Sequence, residues 1–585
     1  MTESFIKSGT LVNKKFREFF IPTVLASMAA QLGTIINGII VGNLISPHAM
    51  VAISACMPLS QITYAMAVLI SIGSSGLIAI ASGKRDNEEA DYIFSTVIAM
   101  GVFSAAIWAV FLILNSSVLP NFLSSAENLR SMMHEYLVVF IWRLPLYLMC
   151  FSWQTLIRTD GMAKIVSRGV LIGQIANVTL SFTLVSSGFG ITGAGIALIS
   201  SDAIGICYVL KKYFSSSERS RKFCSVFNDF GKFLNHVANV VKSGIPVACS
   251  TGLISVKIWA IYQILGNTGG SDAMTLYAVC MACLSVVSMC IAGCNGAMMP
   301  IIGMLYGEKD FSGVRMLIKY VLRIALTLSG TFVAFAIFFP QIILSLYNLP
   351  SSLIESGEIA LRLFSISLIG VTLTFLVMYY YSTIQRRMVA NILSWIEGII
   401  VVVPAAWILS KTFGLNGVWF AFILAELAGF FVVWLYAKHI CKNSGGKLND
   451  IFLIEQSDPE LLMDVSLQAD ADNAAKISHE AKTVLEQKNF DKTLALKVAV
   501  ALEEMTLNIE KLNAGEKIDV DLRIKRGEDK IIIALRDNGK SFNPLEYSVA
   551  EEENLHTDGI MLLKNLASEI KYNRLLSLNQ TLIEI

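Results

Sequence analysis

The sequence predicts a polytopic α-helical membrane protein followed by a soluble α+β domain. Three observations predict this fold class. The chain of 585 residues is 54% hydrophobic and only 16% charged, whereas an average soluble domain is about 25% charged. Apolar runs of about 20 residues, long enough to cross a bilayer as helices, recur up to residue 438. Polar residues are concentrated after residue 445. The net charge of +1 argues against a nucleic-acid partner.

An internal repeat organises the apolar region. Pro22 recurs as Pro246, which sets an offset of 246 − 22 = 224 residues. Matches among leucine, isoleucine and alanine would mean little in so apolar a chain, but proline, glycine and acidic pairs at one offset are informative. Long internal repeats are how many transporters are built. Further pairs at the same offset are Gly83 and Gly307, Asp86 and Asp310, Gly190 and Gly414, and Asp202 and Glu426.

Twelve spans, six per repeat, follow from the apolar runs. An even number of spans makes both repeats enter the membrane from the same side, so the two six-helix repeats are expected to be parallel. The predicted domains are residues 1–210 (N-lobe), 211–242 (linker), 243–445 (C-lobe) and 446–585 (soluble domain). The spans are expected near residues 16–41, 51–82, 92–118, 133–157, 166–186, 192–210, 243–265, 273–305, 316–346, 357–384, 388–410 and 415–438.

Basic residues lie in alternate loops, which predicts the orientation. One set of loops holds Lys84-Arg85, Lys211 to Lys222 and Arg386-Arg387, whereas the opposite set holds only Arg130 and Lys411. The basic side is expected to be cytoplasmic. The sequence therefore predicts a multi-pass protein of the cytoplasmic membrane with both termini in the cytoplasm, and a first helix that is an anchor rather than a signal peptide.

Local motifs in the apolar region resemble the multidrug and toxic compound extrusion (MATE) family. They include Asn37-Gly-Ile-Ile-Val-Gly42, Gly83-Lys-Arg-Asp86, Arg158-Thr-Asp-Gly161 and Asn177-Val-Thr-Leu-Ser181. The resemblance covers roughly residues 14–440 and rests on the order of the motifs together with the repeat. It implies two six-helix lobes around a central cavity and export of small molecules against a flow of protons or sodium ions.

The chain departs from that family at its first-lobe cation site. Family members usually have aspartate where this chain has Asn37 and where it has Ser181. An amide or a hydroxyl cannot take up a proton near pH 7 as a carboxylate can. Asn37, Asn177 and Ser181 could still supply oxygen atoms to sodium or to a substrate, so proton coupling is not expected at these three residues.

Charged residues inside other spans are the alternative candidates for ion coupling. A charge at the middle of a bilayer costs at least about 2.5–3.5 kcal/mol, so it usually faces a partner or water. Asp202 and Glu426 are equivalent in the repeat, and Glu397 and Lys257 lie in further spans. These residues either bind a proton or substrate in the cavity or hold helices together as ion pairs.

Pro22 and Pro246 lie early in the first and seventh spans. A proline there frees a backbone carbonyl and can bend the helix. The two prolines are therefore either hinges for alternating access or simple helix starts.

The sequence of the soluble region predicts an α+β domain. Residues 463–468, 520–525, 530–537 and 581–585 are expected to form strands, and residues 471–487, 492–512 and 559–570 are expected to form helices. Three motifs lie on this frame. Glu504 and Asn508 are four residues apart on one helix face. Asp537 ends a strand and Gly539 follows it, and Gly559 opens a helix whose free N–H groups can hold phosphate.

The order of these motifs resembles the histidine-kinase-like ATPase superfamily, and its anti-sigma-factor serine kinases in particular, over about residues 455–585. The resemblance implies binding of ATP and Mg²⁺, with Glu504 as the general base, Asn508 as the Mg²⁺ ligand and Asp537 as the adenine reader. Gly539 and Gly559 would be lid or phosphate glycines. It also implies an anti-anti-sigma-like protein substrate if the domain is an active serine kinase. The usual Gly-x-Gly of the last motif is Gly559-Ile-Met561 here.

The sequence thus predicts an exporter of small amphipathic or cationic molecules, driven by a proton or sodium gradient and regulated by an ATP-binding domain. No Gly-x-x-x-x-Gly-Lys-Ser/Thr phosphate loop is present, which argues against an ATP-driven cassette pump. One alternative is a membrane sensor that controls a serine kinase. Another is a lipid-linked glycan flippase, which a strongly basic cavity would support.

Overall fold

The computed structural model describes residues 5–585 except 46–48, 50–52, 54–55, 120–126, 217–218, 227, 348–350, 446–447, 449, 456–459, 528–529 and 547–556. Within the described residues, nine helical stretches are long and apolar enough to cross a membrane. The helices of the apolar region are α1 (Thr10–Leu44), α2 (Met57–Gly83), α3 (Asn87–Leu114), α4 (Glu127–Thr159), α5 (Ala163–Leu184), α6 (Gly190–Phe214), α7 (Phe230–Gly307), α8 (Phe311–Phe338), α9 (Pro340–Ser345), α10 (Ser351–Thr383), α11 (Arg387–Trp395) and α12 (Val402–Asn443).

Three of the nine stretches are too long for one crossing and contain a glycine break. Residues 163–214, 230–307 and 387–443 run 52, 78 and 57 residues, although about 20 residues span a bilayer. Each includes a glycine in the left-handed region, at Gly188 (φ 92°), Gly270 (φ 63°) and Gly414 (φ 59°). A residue without a Cβ adopts this conformation without strain. If the three long stretches each divide at this glycine, the nine stretches become twelve spans. The count of twelve stays a prediction.

The helices form two bundles, which we call the N-bundle (α1–α6) and the C-bundle (α7–α12). One buried cluster contains only C-bundle residues, from Ile261 to Ala425. A second contains only N-bundle residues, from Val41 to Ala194. A third joins α1 to α7, α8 and α10. Each bundle therefore has its own core, and the two meet along α1, α2 and α7.

The repeat reappears in local geometry. Asp86 caps α3 by accepting a hydrogen bond from the Glu89 amide at 3.0 Å, and Asp310 caps α8 by accepting one from the Gly313 amide at 2.9 Å. A carboxylate at this position satisfies an otherwise free N–H group of the first helical turn. The residue before each cap, Arg85 or Lys309, is in the left-handed region. The two halves thus share a turn as well as a sequence pattern.

Close glycine contacts join α2 to α7 across the bundles. A Cβ added to Gly73 would lie 2.2 Å from the Val240 carbonyl oxygen, and one added to Gly83 would lie 2.2 Å from the Met304 carbonyl oxygen. Small residues let membrane helices approach at backbone distance. The Gly83 contact lies beside the C-terminal domain, because the Asn573 amide donates to the Ser82 carbonyl at 3.1 Å. The bundles therefore touch on the side of the membrane where this domain lies, here called the domain side.

The C-terminal domain is a five-stranded antiparallel sheet, in the order β1-β2-β3-β5-β4, with helices packed on one face. The predicted helices at 471–487 and 492–512 are confirmed. The helix predicted at 559–570 ends at Leu566, and the following strand, β4, was missed because its sequence is mostly charged and polar. The elements are β1 (Leu461–Gln468), α13 (Ala471–Gln487), α14 (Lys492–Leu512), β2 (Asp519–Arg526), β3 (Ile531–Asp537), α15 (Thr557–Leu566), β4 (Glu569–Leu575) and β5 (Leu578–Glu584).

Both faces of this sheet are buried. Val520, Leu522 and Ile524 of β2 face the helices of their own domain and are each 1% exposed. The alternate residues Asp521 and Arg523 point the opposite way and are also buried, at 3% and 5%. Their face packs against the domain-side loops of the two bundles, so the domain is docked on the transmembrane region through a polar surface.

A buried charge cluster forms this docking surface. Arg536 pairs with Glu308 at 2.9 Å, Asp310 at 3.0 Å and Asp521 at 2.7 Å. Arg523 also pairs with Glu308, at 3.0 Å. Lys7 lies 2.9 Å from Asp464 and 3.5 Å from Asp310. Glu308 and Asp310 belong to the loop between α7 and α8, so the cluster ties the sheet to the C-bundle.

The ion pairs shift the pKa values of the cluster. Burial opposes ionisation of Asp310, but Lys7, Arg523 and Arg536 hold its pKa well below the usual range. Burial likewise disfavours the charge on Asp521, yet Lys7 and Arg536 lower its pKa. Both carboxylates therefore stay ionised at neutral pH, and their ion pairs weaken only in strong acid.

A hairpin tip ties the same domain to the N-bundle. β4 and β5 are joined by Leu576 and Ser577, both in the left-handed region at φ 56°. Two such residues form the tight turn whose twist suits a hairpin. Leu576 is fully buried in a cluster with Phe16 and Phe19 of α1. A Cβ added to Gly161 would lie 2.9 Å from the Leu576 backbone. The domain thus contacts both bundles at once.

Candidate functional site

A central cavity of about 290 Å³ lies between the bundles. Its wall includes Thr23 of α1, Tyr64 of α2, Tyr147 of α4, Asp202 of α6 and Asn295 of α7. The wall mixes aromatic rings and small polar groups, as do many sites for amphipathic ligands. Within the described lining, Arg158 is the single cation facing this space. The strongly basic cavity that would favour a glycan flippase is thus not found there.

Asp202, a predicted coupling residue, lies in this wall as half of an ion pair. Its carboxylate accepts from Arg143 Nε at 2.9 Å. The Arg143 guanidinium also lies over the rings of Phe140 and Tyr147, at 5.8 and 5.3 Å from their centroids. Stacking on aromatic faces adds to the ion pair in fixing a guanidinium. Asp202 therefore resembles a charge-compensated wall residue more than a free acid.

Asn37, Asn177 and Ser181 lie on two parallel, packed helices. Glu18 of α1 pairs with Lys164 near the start of α5 at 2.7 Å, and Gly33 contacts Gln174 further along both helices. Asn37 and Asn177 therefore lie about one turn further along the same contact, and Ser181 lies one turn beyond. All three side chains are buried, and each has an oxygen without a hydrogen-bond partner among the described residues.

Unpaired buried oxygens are uncommon, because each costs about 1–3 kcal/mol. Three of them along one helix pair can accept a donor or coordinate a cation. Hard cations such as sodium prefer oxygen ligands. The arrangement fits the predicted role as oxygen donors, and no carboxylate is required for it.

Lys257, Glu397 and Glu426 come together in the C-bundle. Lys257 Nζ lies 2.7 Å from Glu397 Oε1 and 3.1 Å from the Glu397 carbonyl oxygen. Glu426 lies near this pair, and its carboxylate accepts from Thr374 Oγ1 at 2.6 Å. These four side chains are all buried, from 4% to 6% exposed. Thr374 was not predicted, since one threonine in an apolar helix carries no distinguishing signal.

Two carboxylates that share a buried site repel each other when both are ionised, and a single ammonium compensates only one of the two charges. Two carboxylates beside one ammonium can therefore bind a proton as a set, and proton binding of this kind is the chemistry that a proton-coupled carrier would use. Glu397 lies in a π-helical turn, Ile396–Ile400, between α11 and α12. Such turns are rare and often occur at functional sites.

Pro22 and Pro246 both lie well inside helices, in α1 and α7. Each is more than three turns from the start of its helix, at Thr10 or Phe230. The interpretation of these two prolines as simple helix starts is therefore wrong. Their role as hinges stays a prediction.

Glu504 and Asn508 lie on one face of α14 in the C-terminal domain, as their spacing predicts. Both are half-buried, and the Asn508 amide nitrogen has no hydrogen-bond partner within the described part of the chain. Gly559 of α15 packs directly on this face, since an added Cβ would lie 2.0 Å from Glu504 Oε2. The helix begins two residues before Gly559, at Thr557, so the prediction that Gly559 opens it is wrong. The first turn of α15, which contains Gly559, and the Glu504 carboxylate are thus brought together.

Asp537 lies at the end of β3 and is 3% exposed. Its Oδ1 accepts from the Gly539 amide and from the Asn579 side chain, both at 2.8 Å. Burial raises the pKa of Asp537 to about 6. Asn579, which the sequence did not single out, holds the carboxylate from β5. The second oxygen is left to accept from a ligand.

These residues fit a nucleotide with its magnesium ion. Asn508 would hold Mg²⁺, Asp537 would accept from the adenine amino group, and the first turn of α15, with Gly559, lies against the same face. Bound Mg²⁺ would neutralise phosphate charge. In the predicted role, Glu504 would orient or deprotonate an attacking hydroxyl.

Comparison with protein families matches both parts of the chain. The family model MatE matches residues 22–183 and again residues 246–408, so its two copies begin at the equivalent prolines Pro22 and Pro246. Together they cover more than half of the chain. A model described as "Histidine kinase-like ATPase domain" matches residues 467–584.

Individual relatives agree with the first match. The chain is 23% identical over 372 residues to the "Probable multidrug resistance protein YoeA" of Bacillus subtilis, covering 62% of this chain and 78% of that protein. It is 22% identical over 436 residues to the "Multidrug export protein MepA" of Staphylococcus aureus, covering 72% and 94%.

Solved structures show the same fold. A multidrug resistance MATE family transporter in its outward-facing conformation superposes with a TM-score of 0.68 at 18% identity, covering 74% of this chain and 96% of that one. A MOP superfamily transporter from Pyrococcus furiosus gives 0.68 at 19% identity, covering 75% and 99%. With two cavity-lining bundles in the same arrangement and both repeats matched, the chain belongs to the MatE (MATE) family of multidrug efflux transporters and carries a C-terminal histidine-kinase-like ATPase domain.

Proposed function

We propose that this transporter exports small amphipathic or cationic molecules across the cytoplasmic membrane in exchange for protons, with both termini in the cytoplasm. The observation that carries the proposal is the buried set of Lys257, Glu397 and Glu426. Two neighbouring carboxyl groups beside one ammonium can hold a proton, because the ammonium compensates only one of the two negative charges. Sodium at the oxygens of Asn37, Asn177 and Ser181 is the other source of coupling.

Transport by everted membrane vesicles tests the proposal. Vesicles that contain the full chain are loaded with a fluorescent organic cation under an imposed proton or sodium gradient. We expect uptake that collapses with the proton gradient and that Glu397→Gln abolishes, because glutamine cannot ionise. Glu355→Gln, an exposed acid on α10, is the matched control. Unchanged uptake and pH dependence in Glu397→Gln would refute proton coupling at this set, and dependence on sodium alone would move coupling to Asn37, Asn177 and Ser181.

Regulation by the C-terminal domain is the second part of the proposal. Alternating access in transporters with repeats is largely a rocking of one bundle against the other. A domain tied to the C-bundle through Arg536 and to the N-bundle through Leu576 restrains that movement on its own side. Nucleotide and Mg²⁺ at Asn508 and Asp537 would adjust the restraint. Truncation after Gly445 is expected to leave gradient-driven uptake but to remove any response to ATP.

A second candidate function is a membrane sensor that controls a serine kinase. It is favoured by the same docking, because a rocking of the bundles would also displace the domain that carries Glu504. Transfer of labelled phosphate from ATP to an anti-anti-sigma-type protein, changed by a transport substrate, would support the sensor. Uptake without any such transfer would support the exporter.

A further inference from the structure

A second cavity, of about 430 Å³, lies between the N-bundle and the C-terminal domain. Its volume falls within the roughly 300–1,000 Å³ of sites for small molecules. We call it the joint pocket. Three parts of the chain line it: the start of α1, the turn before α5 with the first turns of α5, and the hairpin side of the C-terminal domain. Its lining includes Lys14, Lys15, Glu18, Lys164, Arg168, Asn538, Arg574 and Ser577.

The joint pocket is strongly basic. Five cationic side chains line it against a single carboxylate, Glu18, which leaves a net charge of +4. Glu18 accepts from Lys15 and from Lys164, both at 2.7 Å. Within the described chain, Arg168 makes no hydrogen bond or ion pair with protein, and the Arg574 Nε atom is buried without a partner. Lys14 pairs with Asp519, which lies outside the lining, at 3.2 Å. Five cations against these two carboxylates still leave an excess of three positive charges.

The cytoplasmic bias of lysine and arginine in membrane proteins does not by itself explain why these cationic side chains meet in the joint pocket. Lysine and arginine at helix ends are expected on the cytoplasmic side, but Arg574 comes from the soluble domain. Lys164 and Arg168 are four residues apart on α5, so their like charges repel each other on one helix face. A bound anion would relieve that repulsion and would satisfy the free Arg574 Nε.

Arg574 also links this pocket to the nucleotide motif. Its Nη1 donates to the Asn579 side chain at 2.7 Å and to the Gly539 carbonyl at 3.3 Å. Asn579 in turn holds Asp537. A ligand that drew the guanidinium toward the pocket would act on residues that are predicted to hold the adenine.

We propose that the joint pocket binds a phosphate-bearing anion that bridges the N-bundle and the C-terminal domain. Arginine and lysine together suit phosphate oxygens, since the planar guanidinium donates in pairs and the ammonium supplies a point charge. The anion is either the headgroup of an acidic phospholipid, reached from the membrane surface beside α1 and α5, or a soluble phosphate compound. This assignment does not depend on the direction or coupling of transport.

Binding measurements on the full chain test the assignment. Protein in phosphatidylcholine nanodiscs is titrated with inorganic pyrophosphate by calorimetry, at constant ionic strength with EDTA present. EDTA removes the Mg²⁺ that binding at Asn508 would require. In parallel, protein reconstituted with a mixture of phosphatidylglycerol and phosphatidylcholine is analysed by native mass spectrometry for retained acidic lipid.

The variant Lys164→Gln/Arg168→Gln removes two exposed cations from one helix face, where loss of folding is not expected. Lys211→Gln/Lys212→Gln, two exposed cations at the end of α6 that do not line the pocket, is the matched control. We expect the first variant to weaken binding at least about tenfold, since charge-assisted hydrogen bonds are the strong ones. The control should bind as the native chain does.

The two probes separate the two sources of phosphate. Pyrophosphate binding that is lost in the α5 variant and kept in the control supports a soluble anion. Retention of phosphatidylglycerol with the same pattern, and no pyrophosphate binding, supports a lipid headgroup. Arg574→Gln should weaken whichever ligand is bound. Binding of neither probe, or equal binding by both double variants, would overturn the proposal.

Discussion

Replacing Arg536 by methionine tests whether the buried charge cluster holds the C-terminal domain in place. The cluster contains three cations, Lys7, Arg523 and Arg536, and four carboxylates, Glu308, Asp310, Asp464 and Asp521. Among the described residues, Arg85 makes no ion pair with them, but its charge acts on Glu308, so it is counted with the cluster as a fourth cation. The net charge of the cluster is zero. Arg536→Met keeps most of the side-chain volume but leaves one buried negative charge in excess.

The expected magnitude follows from burial. The Arg536 side chain is 5% exposed, and its three partner carboxylates are 0–3% exposed. Removing one member of a buried ion pair typically costs about 3–5 kcal/mol, because the remaining charge is left uncompensated. Lys7 and Arg523 remain as partial compensation, so we take the lower end, about 3 kcal/mol. That corresponds to roughly a 150-fold shift in the docking equilibrium.

Hydrogen–deuterium exchange of the full chain in nanodiscs measures this shift. Peptides that cover 307–313 and 572–579 lie on the two sides of the interface and should lose protection together. Arg526→Met is the matched control, since Arg526 is an exposed arginine of the same sheet and lies over the Phe490 ring. Adding Asp310→Asn to Arg536→Met should recover part of the protection, because asparagine still caps α8 and the excess charge is removed.

Exchange rates within about threefold of those of the native chain would refute a holding role for the cluster. A loss of protection equal to that in Arg526→Met would refute it as well. So would an Asp310→Asn variant that worsened the defect of Arg536→Met. In either case the cluster would be a passive surface, and docking would depend on the apolar contact of Leu576.

The remaining predictions concern the nucleotide site and the hairpin contact. Asn508→Ala should remove Mg-ATP binding by the full chain, as measured by calorimetry, whereas alanine at exposed Asn489 should not. ATP affinity should fall as pH drops through about 6, because the raised pKa of Asp537 makes its carboxyl protonated below that value and a protonated acid is a poorer acceptor. Affinity that stays flat between pH 7.5 and 5.5 would contradict the adenine role. Gly161→Ala should loosen docking at the N-bundle, because Gly161 has φ 105° and its Cβ would lie 2.9 Å from the Leu576 backbone. Faster exchange at 572–579, with exchange at 307–313 unchanged, would confirm it.

Much of the membrane region could be predicted because its pattern is local or repeated. The offset of 224 residues placed Asp86 opposite Asp310, and both cap a helix in the same way. The Glu504 and Asn508 spacing placed both side chains on one face of α14. Periodicity and spacing within one element survive folding, so these predictions needed no knowledge of tertiary contacts.

Contacts between distant segments could not be predicted. Lys257 and Glu397 are 140 residues apart, and each alone is only a charge in an apolar helix. The alternation of apolar and polar residues in β2 predicts a strand with one solvent-exposed face, yet Asp521 and Arg523 are buried. Their partner surface is a loop more than 200 residues earlier in the chain. β4 was missed because its stability comes from pairing with β5, not from its own composition.

The charged face of the sheet has a consequence for how the two parts of this protein can be inherited or recombined. Glu308 and Asp310 are matched one for one by cations of the attached domain. A transporter of the same family joined to a different ATPase domain would bury these two acids against an unmatched surface. Likewise, this domain moved onto another carrier would bring Arg523 and Arg536 without Glu308 and Asp310, and only the Asp521 partner of Arg536 would move with it. Substitutions in the two parts are therefore expected to occur together. Chimaeras should assemble only when the loop at 308–310 is transferred with the domain.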